Sequence, residues 1–191
     1  LSQRCGKPFF RLAPFSRRPV EYRHPGANEN VGMPDADYLG AARPTLILYL
    51  PHRPNGLERL QQYPDAAELM AANSNHWRKI VNLLAKVACP ITQEWRHYRD
   101  TSLFQKSALC FAPALANGEC WHWIGGKDNL LRFTGLQHRA RLLGGAPGVS
   151  VDTERRLLLT PYPDYRQLSN AVVAQLRLSL EEQGFYGRAR S

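Results

Sequence analysis

The chain has 191 residues, 43% apolar and 21% charged, with a formal net charge of +9. That balance excludes a disordered tail, a fibrous repeat and a disulfide-stapled miniature, and it suits one globular domain that buries its own core. No apolar run approaches the roughly 18 residues of a bilayer-spanning helix, and no apolar leader is visible, so a cytoplasmic protein without membrane contact is expected.

Residues 1–43 are rich in Pro, Gly, Arg and Asn and show no period, which predicts an irregular basic arm with at most a short strand. The first residue is Leu1, so the natural start is expected upstream. Arg4, Lys7, Arg11, Arg17, Arg18 and Arg23 stand against Glu21, with Phe9, Phe10, Phe15 and Tyr22 interleaved. Two readings stay open. The arm clamps a nucleic-acid strand through phosphates and stacked bases, or its aromatics pin an extended segment over the core, which is the preferred reading.

Residues 44–191 are expected to form a single α/β domain. Thr45 to Leu50 is a continuous apolar run between prolines, the pattern of a strand covered on both faces. "LERLQQYPDAAELMAAN" is helical in composition and broken near Pro64. In "SNHWRKIVNLLAKVAC", Trp77, Ile80, Val81 and Leu84 recur at i, i+3, i+4 and i+7, Ser74 or Asn75 caps, and Pro90 stops the helix. "TQEWRHYRD" predicts a short helix with Trp95 and Tyr98 on one face. Further buried strands are predicted over 107–113, over 120–126 and in "RRLLLTP". "KDNLLRFTG" reads as a short helix and residues 135–150 as loop. The last helix is read from "YRQLSNAVVAQLRLSLEEQG", with Leu168, Val172, Leu176 and Leu180 as its stripe and Gly184 just past its end. This alternation predicts a three-layer α/β/α domain around a short, mostly parallel central sheet of about four strands.

Cys5, Cys89, Cys110 and Cys120 form no close pair. Cys89 and Cys110 read as buried thiols in a reducing compartment. Cys120 with His122 would need two distant ligands to hold zinc, so no metal and no cofactor is expected.

In open parallel sheets, ligands bind outside the carboxyl ends of the strands. Three loops lead there: "PHRPNG" (51–56), "GGKDN" (125–129) and "PYPDYRQ" (161–167). Together they supply His52, Arg53, Asn55, Lys127, Asp128, Tyr162, Asp164 and Arg166. Ordinary explanations exist for part of the set. "GGK" lacks the phosphate-loop pattern, Asn55-Gly56 is a turn signal, and Asp164 with Gln167 spells a capping box. Arg166 near a helix start meets the positive end of the dipole, which points to an anionic ligand or to an acidic partner such as Asp164 or Glu29.

The order of these segments, with "LYLPHRPN" (48–55) early and "LLLTPYPDYRQ" (157–167) late, resembles the uracil-DNA glycosylase-like superfamily. Tyr162 stands where that family has its histidine, and Asp164 where it has serine. The resemblance implies a divergent or inactive relative that binds DNA or a nucleotide. In an active form it would hydrolyse an N-glycosidic bond, with the base flipped into the pocket. His52 or Asn55 would orient water, and Tyr162 or Arg166 would stabilise the leaving base. Asp164 would act as base only if it is free of capping. Arg53, Lys127 and Arg166 would contact phosphate. "PYPDYRQLSN" and "LFQKSALCFAP" also resemble a small uncharacterised bacterial family without an assigned activity. The alternative is a non-catalytic interaction domain or a domain for a small anionic ligand. In that case Trp95, Tyr98, Trp121 and Trp123 serve the core or a partner.

Overall fold

The computed structural model describes residues 35–187; residues 1–34 of the basic arm, Cys5 among them, lie outside these, while its last part supplies a 3-10 turn and the first strand. After a 3-10 turn (Asp35–Asp37) come β1 (Tyr38–Gly40), β2 (Leu46–Tyr49), α1 (Leu57–Gln62), α2 (Ala66–Ala71) and α3 (Asn75–Ala88). A second 3-10 turn (Thr92–Glu94) leads into α4 (Trp95–Thr101), α5 (Leu103–Lys106) and β3 (Ser107–Cys110). Next come β4 (Trp121–Gly125), α6 (Lys127–Leu131), β5 (Arg141–Leu142), β6 (Ser150–Asp152), β7 (Leu157–Thr160) and α7 (Asn170–Glu182). Among the described residues no helix is long and apolar enough to cross a membrane.

The domain is mixed α/β, and its sheet is larger than predicted. Among the described residues it has seven strands in the order β1-β3-β2-β4-β7-β6-β5. The four expected strands form its parallel centre, with Leu48 opposite Leu109 on one side and Trp123 on the other, and Trp123 opposite Leu158. β1 joins β3 antiparallel, and β6 and β5 extend the far edge antiparallel from β7. These three edge strands hold two or three residues each. That is too few to display an alternating pattern, and it is why 135–150 read as loop. β1 packs closely on its neighbour. A Cβ on Gly40, at φ +126°, would lie 2.5 Å from the Ser107 carbonyl oxygen, so only glycine fits.

The apolar runs are covered on both faces, as period two requires. Leu46, Leu48, Leu109, Trp121, Trp123 and Leu158 point into one cluster, with Leu60, Leu69, Ile80, Leu84, Phe104 and Leu176 from the helices. Ile47, Tyr49, Ala108, Cys110, Ile124 and Leu157 point the other way, against Ala116 and Phe133, with Leu130 and Leu136 packed on the rim. The layers are therefore unequal. α1, α2, α3, α5 and α7 cover the first face, while α6 and irregular segments cover the second. Each fully buried Leu or Ile contributes roughly 1.5–3 kcal/mol. The predicted α3 stripe of Trp77, Ile80, Val81 and Leu84 is buried throughout.

α7 begins later than its sequence suggests. Ser169 is extended (φ −62°, ψ 165°), and its side chain accepts from Val172 N–H. Asp164 instead caps a separate turn. Its Oδ1 accepts from Arg166 N–H at 2.9 Å, and its carbonyl accepts from Gln167 and Leu168 N–H. Because Ser169 leaves helical geometry, the two pieces cannot join, and the Asp164–Gln167 box does not start the last helix. At the other end Gly184 is left-handed at φ 72°, and Phe185 N–H returns to the Leu180 carbonyl, a glycine-closed terminus.

Candidate functional site

From β2 the chain passes to β3 on one side and then to β4 on the other. The strand order reverses there, which opens a crevice outside the carboxyl ends of β2 and β4. A cleft of about 730 Å³ occupies this place. The loop after β2 supplies His52, and the start of α6 supplies Lys127 and Asp128. The loop after β7 supplies Tyr162 and Gln167, and Gly148 closes the side next to β6.

Tyr162 lines the cleft. His52 Nε2 lies 3.0 Å from its hydroxyl, and the two rings are 5.7 Å apart and tilted by 34°. His76, from the first turn of α3, stacks on it at 5.0 Å and 17°. Burial pushes the Tyr162 phenol up to about 12, so it keeps its proton at neutral pH. Burial pulls His52 below its ordinary value, and the nearby Arg132 guanidinium and His76 ring add to the effect. The imidazole is neutral at pH 7, so one ring nitrogen donates and the other accepts. The pair is thus an uncharged hydrogen-bonding edge beside a flat aromatic stack.

A rigid frame fixes the second wall. Asn129 Nδ2 donates to the Tyr49 carbonyl at 2.9 Å. Arg132 donates to Asn129 Oδ1 at 3.0 Å and to the Phe111 carbonyl at 3.1 Å. These bonds tie α6 to the ends of β2 and β3 and so place Lys127 and Asp128. The glycine pair that ends β4 has a packing reason. A Cβ on Gly125 would lie 2.7 Å from Pro163 Cδ, so the late loop approaches only because that position is glycine.

The sequence pattern of a family of unknown function, DUF6942, matches residues 37–181. The chain belongs to that family. No curated protein and no solved structure matches it. The DUF6942 match runs from β1 into α7 and so includes every loop that lines the cleft.

Of the residues singled out in the sequence, His52, Lys127 and Tyr162 meet in the cleft, with Asp128 beside them. Asn55, Arg53, Asp164 and Arg166 do not line it. Asn55 precedes α1, where its N–H donates to Asn73 Oδ1 at 2.8 Å and its carbonyl accepts from Asn73 Nδ2. Arg53 pairs with Asp37, Nε to Oδ1 at 2.6 Å. Asp164 accepts from Lys79 Nζ at 2.7 Å. This bond and the Arg166 N–H hold its carboxyl below the usual range. Arg166 rides exposed on the turn that Asp164 caps. Residues of one loop were expected to face one way, whereas capping and ion pairing turn half of them outward. His76 and Gln167 were missed. His76 had a usable signal, because it lies in the first turn of a helix that packs along the parallel strands.

Proposed function

We propose that the cleft binds a nucleobase, presented on a nucleotide or a nucleic-acid strand, in the manner of a divergent glycosylase-like protein. The observation that carries this reading is Tyr162, stacked on His76 and hydrogen-bonded to His52 where the strand order reverses. A heterocycle is flat and carries donors and acceptors on its rim. Neutral imidazole and phenol groups match that rim, and aromatic faces match its π-surface. Lys127 at the mouth suits an attached phosphate.

In a hydrolytic version, water attacks the anomeric carbon as the C–N bond to the base breaks, and positive charge develops on the sugar. A hydrogen bond from His52 or Tyr162 takes up the negative charge that grows on the leaving base. Asp128 is the carboxylate on the cleft wall and takes the role of orienting water; Asp164 is held by Lys79 and by its turn.

The test is a panel of single-stranded and duplex oligonucleotides carrying uracil, hypoxanthine or other altered bases. Alkali-labile sites at the altered base are expected, and they should vanish in a His52→Ala, Asp128→Ala variant. Base-dependent binding without strand scission would mark a non-catalytic binding domain. Neither scission nor base-dependent binding across the panel would refute the reading.

A further inference from the structure

A second group of charges lies away from the cleft, where α3 ends and α4 and α7 begin. Trp95 is half-buried there and is surrounded by cations. Lys86 Nζ lies 5.1 Å, Arg96 Cζ 4.5 Å and Arg99 Cζ 5.7 Å from its ring centroid. Lys86 is also 5.4 Å from the Tyr165 ring. Arg99 is balanced by Asp100, Nε to Oδ1 at 2.6 Å. Arg177 is occupied by carbonyl groups at the end of α3, bonding those of Lys86 at 2.6 Å and Cys89 at 2.7 Å. Lys86 and Arg96 belong to none of the ion pairs among the described residues. Among the described residues the Lys86 ammonium donates to Asn170 Oδ1, a neutral acceptor, at 2.9 Å.

These side chains line a hollow of about 290 Å³, and among the described residues its lining includes Lys86, Arg96 and Arg177 but no acid. Aromatic faces hold a cation in place without cancelling its charge. Crowding like charges has a cost, and here it is visible as a lowered proton affinity at Lys86, caused by burial and by Arg96. An anion seated between the two would relieve it. We propose that this hollow is a phosphate-binding subsite, with Lys86 as a point charge and Arg96 as a forked donor.

The phosphate belongs either to a free nucleotide or to the backbone of a strand. α3 runs between the two sites, since ten residues separate His76, stacked on Tyr162 of the cleft, from Lys86 in the hollow, a rise of about 15 Å. That span equals the axial rise of roughly four nucleotides of a duplex strand. The subsite does not depend on the cleft taking a base.

The experiment is calorimetric titration of the protein with inorganic pyrophosphate and, separately, with a short oligothymidylate, at low salt and at about 0.15 M salt. Arg96→Ala and Lys86→Ala are compared with Arg155→Ala, which removes an exposed charge elsewhere, and melting curves check folding. Saturable binding is expected, weakened about tenfold or more by Arg96→Ala and unchanged by Arg155→Ala. Tighter oligonucleotide binding with a steep salt slope assigns the site to a strand backbone. Pyrophosphate binding that equals it assigns the site to a nucleotide. If Lys86→Ala does not fold, Arg96→Ala decides, because that side chain is exposed. Absence of saturable binding to either probe, or equal weakening by Arg155→Ala, overturns the proposal.

Discussion

Tyr162 has two separable parts, a ring stacked on His76 and a hydroxyl bonded to His52. Tyr162→Phe keeps the first and removes the second. The fold should lose no more than about 1 kcal/mol, the usual net worth of such a bond, while base binding should weaken several-fold. Urea denaturation and a binding titration on the same variant separate the two effects. Another histidine tests burial rather than binding. His122 is enclosed on the second face of the sheet, with Nδ1 2.9 Å from the Tyr49 hydroxyl, and that hydroxyl already accepts from Ala116 N–H. Burial pulls the His122 pKa down to about 4, so the ring is neutral at pH 7. Between pH 6.5 and about 4 the unfolded chain takes up a proton that the folded chain refuses, so stability falls as pH falls and is flat above that window. The full difference is about 3 kcal/mol. His52 is shifted in the same direction and adds a share of the same sign. His122→Phe should remove most of the slope between pH 7 and pH 4.5 in urea titrations; an unchanged slope would contradict the assignment. Asp164 acts at lower pH. Its lowered pKa adds stability above the ordinary carboxylate range, and this is lost as pH falls through the depressed value.

At the scale of elements, the four parallel strands were legible because each is a continuous apolar run, and burial on both faces demands that pattern. β1, β5 and β6 were not, since edge pairing of two or three residues leaves no trace in composition. The helices show the same division. α3 declared itself through its stripe, whereas the start of α7 was misread because Asp164 and Ser169 are both competent caps and sequence does not rank them. In the structure Ser169 holds α7 and Asp164 holds only a turn. Ser169→Ala should therefore cost about 1 kcal/mol and fray α7, as measured by thermal melts and by amide exchange in its first turn. Asp164→Asn should leave that exchange unchanged. The site was legible to the level of its loops but not of its side chains. The three loops were read correctly as neighbours, yet Asn55, Arg53 and Asp164 are turned aside by Asn73, Asp37 and Lys79. All three partners are distant in sequence or lie on other elements. His76 stacks on Tyr162 from a helix outside the three loops.

For the whole molecule, the aromatic cleft lies outside the carboxyl ends of the parallel strands. The hollow around Lys86 and Arg96 lies at the far end of α3 from His76. A net charge of +9 gives the molecule a long-range attraction for polyanions. Strand binding should weaken steeply between about 0.05 and 0.2 M salt, and Arg96→Ala should lower the log–log slope by about one. Whether the cleft takes a base is decided by fluorescence anisotropy at fixed salt, comparing an oligonucleotide that carries one altered base with the same strand abasic at that position, on the native protein and on Tyr162→Ala. The base-bearing strand should bind more tightly, and Tyr162→Ala should lose that preference; equal binding of the two strands by the native protein would refute base recognition in the cleft.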